Sequence, residues 1–182
     1  MTIALEQIET TVRGYLERYP SEGSALAPIL DTLAKGFDFT SRRRFPAHVT
    51  AGIVLLDEQD RVLQIRQSML GRWATPGGHC EPDDKSLVGA ALREFVQKCG
   101  VRPEDVERIG GDESLPVHIR VHSIPADDAR KEPMHHHFDF RFAYRALPGL
   151  TVRLNSEAAD LRWAPYAEVA AVDLADHTLP TG

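Results

Sequence analysis

In the segment SLVGAALREFVQKCG, Glu94, Gln97 and Lys98 stand at positions i, i+3 and i+4. On a helix that spacing gathers all three side chains on one face. A hard divalent cation held there would want carboxylate, carbonyl and water oxygens. Glu94 is such a ligand, Gln97 offers one neutral carbonyl, and Lys98 offers nothing. Two readings stay open. Glu94 and Lys98 form an ordinary surface ion pair, worth about 0.2–0.5 kcal/mol, or the Lys98 ammonium replaces a cation and holds phosphate or carboxylate as a fixed point charge.

A second set of chemical residues lies further on. In PVHIRVHS and MHHHFDFRFAY, polar and apolar residues alternate, so His118, Arg120 and His122 share one face of a strand, as do His135, His137, Asp139 and Arg141. If the strands are neighbours, these seven form one polar patch suited to an anionic ligand. His118 and His122 stand about 13 Å apart and cannot ligate one ion, whereas His135 and His137 are nearer 7 Å. With one cross-strand histidine and Asp139, that pair approaches a transition-metal site. His136 points to the other side. His48 and His79 are single histidines with hydrogen-bonded structural roles, and His79 gains interest from its glycine-rich loop. Trp73 is a candidate for stacking on a base or ring, or a buried anchor for that loop. Trp163 belongs to the core, and Arg66 and Arg72 are open between contact with phosphate and exposure to solvent.

The elements that must position these residues are legible in the hydrophobic pattern. Residues 3–18 and Ala25–Leu33 have helical spacing, and TSRRRFPAH links them to the main domain. HVTAGIVLLD and RVLQIRQ read as a β-hairpin around DEQD, with a short strand near Arg72–Thr75 before a PGG turn. A helix runs from Ser86 to Cys99 and stops at Gly100. Strands come next near Pro116–Ser123, Met134–Arg145 and Leu161–Ala164, and a short helix covers Tyr166–Val172. The division expected is a helical extension and linker over residues 1–45 and one α/β domain over 46–182, its sheet largely antiparallel. The chain has 182 residues, a net charge of -6, 42% hydrophobic and 26% charged residues. That is ordinary for a folded domain and opposes a nucleic-acid polymer as partner. The N-terminal segment lacks the basic start and apolar run of a secretory signal, which points to the cytoplasm and away from membranes. Cys80 and Cys99 form no CxxC pair and read as reduced thiols; only Cys80, beside a helix start, raises the question of reactivity.

The glycine loop, the helix, Arg93-Glu94 and Gly100-Val101 together resemble the Nudix box, GX5EX7REUXEEXGU with U aliphatic. HVTAGIVLLDEQDRVLQIRQ, RWATPGGH and DLRWAPYAEV extend the resemblance over roughly residues 46–172. It implies a Nudix-type α/β/α sandwich and hydrolysis of a nucleoside diphosphate linked to another group, with Mg²⁺ or Mn²⁺ activating water. The box departs from the pattern. Arg93 comes one residue late, which leaves Asp84 or Asp83 to brace it, and Gln97 and Lys98 replace a glutamate pair, making the face three charge units more positive. The resemblance thus implies Glu94, Arg93 and Lys98 as catalytic candidates, and Glu94, Gln97, Gly78 and Glu81 as a weakened metal set. It also gives the histidine face and Trp73 a reason to bind substrate. Three functions are open: a hydrolase with an altered metal site, a repurposed enzyme of a specialised biosynthetic pathway using His, Glu and Lys as acids and bases, or a ligand sensor. The partner in each is a small phosphorylated or anionic molecule, and a homodimer is open.

Overall fold

The computed structural model describes residues 3–68, 71–110 and 115–173. Two helices begin the chain, α1 (Leu5–Arg18) and α2 (Gly23–Ala34), followed by strands β1 (Ala47–Leu56), β2 (Arg61–Gln67), β3 (Trp73–Ala74) and β4 (Gly77–His79). Helix α3 (Leu87–Cys99) comes next, then β5 (Val106–Arg108), β6 (His118–Ile124), β7 (His135–Ala146), β8 (Ala158–Pro165) and α4 (Tyr166–Asp173). The sheet is mixed. β1 runs parallel to β7, from Ala47 opposite His136 to Leu56 opposite Arg145, and every other pairing is antiparallel.

The alternation of β1 and β7 builds both the core and the polar face. Val49, Ala51, Ile53 and Leu55 point to the same side as Phe138, Phe140, Phe142 and Tyr144. There they meet Leu87, Ala91 and Phe95 of α3, together with Ile8, Val12, Tyr15, Leu26 and Ile29 of α1 and α2, in one cluster. The N-terminal helices therefore share the core of the sheet. Val54, Leu56 and Ala143 face the other side, where Val62, Ile109, Ala164 and Val169 of α4 cover them. Nearer the starts of β1 and β7, that second side carries His48, Thr50, His135, His137, Asp139 and Arg141 instead.

Local rules fix α3. The Ser86 hydroxyl accepts from the Gly89 amide at 3.0 Å, capping the first turn, and Gly100 closes the helix at φ +61, in the left-handed region. Asp57 builds the turn between β1 and β2 by accepting from the amides of Gln59 and Arg61. The expected elements are present, with two differences. The segment read as a PGG turn is partly strand, because Gly77–His79 pairs with Thr50–Gly52 of β1. β5, absent from the hydrophobic pattern, is three residues long and too short to show a period. Among the described residues no helix is long and apolar enough to cross a membrane.

Phe140 is fully buried at the centre of β7. Replacing it with alanine is expected to lower unfolding stability in urea by about 3–5 kcal/mol; a loss below about 1 kcal/mol would contradict this packing.

Candidate functional site

Lys98 reaches from the last turn of α3 back to β4. Its Nζ donates to the Gly77 carbonyl at 2.7 Å and lies 3.2 Å from Glu94 Oε2, with Glu157 at 3.6 Å. Arg93 takes the other oxygen, Nη1 to Glu94 Oε1 at 2.8 Å, and the same Nη1 donates to Gln97 Oε1 at 3.0 Å. Glu94 is 8% exposed, so two cations neutralise one buried carboxylate. Gly78 makes room for it: a Cβ there would collide with the Glu94 carboxylate.

Arg93 ties the loop to the helix. Its Nε and Nη2 each reach Asp84 at 2.9 Å, and Nη2 also donates to the His79 carbonyl at 2.8 Å. Asp84 in turn accepts from the Glu81 amide at 2.7 Å. The brace expected at Asp83 or Asp84 is thus Asp84, and Asp83 is exposed. The hydrogen bond to Asp84, with the Glu94 contact, raises the Arg93 pKa further above its ordinary value. The Glu81 carboxylate stands at the margin of this network, 3.6 Å from Arg93.

A cleft of about 510 Å³ opens over this network. Arg42, Gly78, His79, Cys80, Glu81, Glu94, Gln97, Lys98, Asn155 and Glu157 line it. Of the residues singled out in the sequence, the box and its loop reach the cleft. The sheet-face residues and Trp73 do not line it. Trp73 is half-buried on β3, with the Arg162 guanidinium 4.8 Å over its ring. Cys80 is buried, and burial pushes its thiol up to about 12, which removes the case for reactivity.

The polar face of the sheet assembles nearly as its alternation requires. β6 and β7 are neighbours, with His118 opposite Arg141, Arg120 opposite Asp139 and His122 opposite His137. Asp139 is fully enclosed. Burial opposes its ionisation, but Arg141 at 2.6 Å, His122 and the Thr50 hydroxyl at 2.8 Å outweigh that and hold its carboxyl well below the usual range. Arg141 also leans over Gly52 and Gly77, where a Cβ would strike its guanidinium. His118 is buried, which removes it from an open ligand surface. His136 points to the opposite side, 3.4 Å from Ser123 Oγ.

The residues that sequence reasoning treated as solitary stand in the middle of this face. His48 lies directly opposite His137 across the parallel pair, and β4 brings His79 opposite Thr50. Ring centroids separate His48 from His79 by 4.9 Å, from His135 by 4.7 Å and from His137 by 4.7 Å. His79 also stands 5.0 Å from His137, and so joins the cluster to the cleft. Burial, followed by neighbouring imidazoles, lowers the pKa of His79 and His137 to about 3; burial likewise lowers that of His48. These three rings are neutral at ordinary pH. The cross-strand histidine predicted for His135 and His137 thus comes from β1 as well as from β6. Only the pairing of β1 with β7, remote in sequence, reveals it.

A NUDIX domain family model matches residues 46–180. The chain belongs to the NUDIX domain family. No curated protein sequence matches it. Among solved structures it is similar to a C. elegans Ap4A hydrolase binary complex, at 16% identity and TM-score 0.54, covering 68% of this chain and 84% of that one. It is similar to the E. coli dihydroneopterin triphosphate pyrophosphohydrolase, at 14% identity and TM-score 0.50, over 68% and 84% of the two chains. A NUDIX family hydrolase from Clostridium perfringens matches at 16% identity and TM-score 0.50, over 68% and 85%. At these identities the likeness is one of fold.

Nudix enzymes use divalent metals such as Mg²⁺, and the box of this Nudix chain can be tested against one. Magnesium demands several oxygen ligands in near-octahedral array. Here the carbonyl of Gly77 and one Glu94 oxygen converge on an ammonium, while the second Glu94 oxygen and the Gln97 carbonyl converge on Arg93. This donor set does not fit magnesium. Lys98 meets the carbonyl of Gly77, the neighbour of the Gly78 named in the expected metal set.

Asp84→Ala should leave the Arg93 guanidinium without its principal partner. The expected loss of stability is about 3 kcal/mol, at the low end for a buried pair because Arg93 keeps some solvent contact. Asp83→Ala should stay within about 0.5 kcal/mol. Equal losses in urea denaturation would remove Asp84 from this role.

Proposed function

We propose that this Nudix protein takes a small nucleoside diphosphate derivative in the cleft over α3 and hydrolyses its phosphoanhydride with the Lys98 ammonium in place of magnesium. The observation that carries the reading is the position of Lys98, fixed between the Gly77 carbonyl and Glu94 in the lining of a cleft of about 510 Å³. A lysine there presents a compact charge to phosphate oxygens, and Arg42 adds a second positive charge on the cleft wall. In the reaction, water forms a new P–O bond as the bridging P–O bond breaks. Its proton passes to an exposed carboxylate on the rim, for which Glu81 and Glu157 are placed. Glu94 serves chiefly to hold Lys98 and Arg93. Residues 46–182 form the acting domain, with residues 1–45 as its helical extension in a cytoplasmic protein.

One observation favours a second reading, in which the cleft binds its ligand without turnover. Glu94, the acid expected to assist in attack, is neutralised on both oxygens.

The test is turnover of a panel of nucleoside diphosphate derivatives with and without added Mg²⁺, in wild type, Lys98→Met and Glu94→Gln. Hydrolysis at one rate in both conditions, reduced at least about 100-fold in Lys98→Met, is the expected result, the size of loss that removing one charge-stabilising donor produces. Magnesium-dependent turnover that survives Lys98→Met would overturn the proposal. Binding of panel members, read by thermal shift, with no turnover would select the second reading.

A further inference from the structure

We propose that His48, His135 and His137 form a three-histidine site for a zinc-class divalent transition ion, separate from the box and independent of the function proposed above. One ring nitrogen from each of the three lies within 4.8 Å of the others. The spacing is close to what such an ion needs. Zinc binds histidine nitrogen at about 2.0–2.1 Å in tetrahedral array, which sets neighbouring ligand atoms about 3.3–3.4 Å apart. His135 Nε2 and His137 Nε2 are 3.3 Å apart.

The rings are already oriented for coordination through Nε2. His135 Nδ1 lies 2.7 Å from the Pro133 carbonyl and His48 Nδ1 lies 3.2 Å from that of Arg44. A carbonyl can only accept, so both Nδ1 atoms carry a proton, and in the neutral ring Nε2 keeps its lone pair. This is the outer hydrogen bond that fixes the tautomer of metal-bound histidines. His48 Nε2 is buried with no hydrogen-bond partner among the described residues, and His48 and His135 are each 2% exposed. An unpaired buried acceptor costs stability unless something meets it.

The Nε2 atoms of His135 and His137 cannot both keep lone pairs facing each other without a shared partner. One proton between them satisfies that pair and still leaves His48 unmet. A single cation satisfies all three, with the His137 proton moving to Nδ1, so that no proton need be released. Neutral imidazole suits zinc and its neighbours, and is a poor match for magnesium or calcium. Three protein ligands leave a fourth position for water or an anionic group, and His79, 4.9 Å from His48 and 5.0 Å from His137 between ring centroids, links the set to the cleft. Phe45 packs edge-on against His135 and His48, which shields the far side.

The experiment is a titration of untagged, chelator-treated full-length protein with Co²⁺, read by visible absorption, followed by Zn²⁺ competition. Expected is one equivalent of Co²⁺ with the intense bands of four-coordinate cobalt, displaced by Zn²⁺. Affinity should fall by more than about 100-fold in His48→Gln, His135→Gln or His137→Gln, above the 10–100-fold that loss of an outer partner costs. His136→Gln and Lys98→Met should bind as wild type. Zn²⁺, but not Mg²⁺, should raise the wild-type unfolding temperature, a readout that needs no variant to fold. Absence of stoichiometric binding, the weak bands of six-coordinate cobalt, or binding retained when His48, His135 and His137 are all changed to Gln would each overturn the site.

Discussion

The ammonium of Lys98, held at 2.7 Å from a backbone carbonyl of β4 and 3.2 Å from a buried carboxylate of α3, is the contact around which the rest of the Nudix box is arranged. Glu94 is charged in a place that is 8% exposed, and a charge so placed must be paired. Lys98 and Arg93 pair it from two sides. Arg93 then needs acceptors of its own, and finds them in Asp84, Gln97 and the His79 carbonyl. The one-residue insertion in the loop is absorbed here, because Asp84 keeps two contacts to Arg93 while closing the turn at Glu81. The scaffold of the box persists, with one carboxylate and one ammonium paired on its face.

The same sheet holds two unlike chemistries on its opposite faces. On the α3 side, apolar residues of β1 and β7 pack the helix whose Glu94 and Lys98 line the cleft. On the other side, polar residues of the same strands bring three histidines together and bury Asp139 against Arg141. β4 joins the two: Gly78 faces Glu94, while His79 faces His48 and His137. His79 therefore both lines the cleft and borders the histidine cluster.

Much of this was legible in the sequence because it is local. The i, i+3, i+4 spacing placed Glu94, Gln97 and Lys98 together, and alternation placed His135, His137, Asp139 and Arg141 on one face. Both readings require only a helix or strand period. The position of His48 requires knowing that β1 lies parallel to β7, nearly 90 residues away, and nothing in one chain's alternation states that. For the same reason Asn155 and Glu157, from the segment before β8, escaped notice although they line the cleft. His118 shows the converse. Alternation gave its face correctly and could say nothing of the residues that bury it.

With Lys98 at the point where a Nudix box gathers its cation, wild type should leave that point closed to metal. Electron paramagnetic resonance of Mn²⁺ added to chelator-treated wild type, Lys98→Glu and Glu94→Gln tests it directly. No Mn²⁺ is expected at the box of wild type at millimolar metal, and one ion is expected once Lys98→Glu exchanges the ammonium for a carboxylate. Tight binding of Mn²⁺ to wild type that disappears in Glu94→Gln would contradict it.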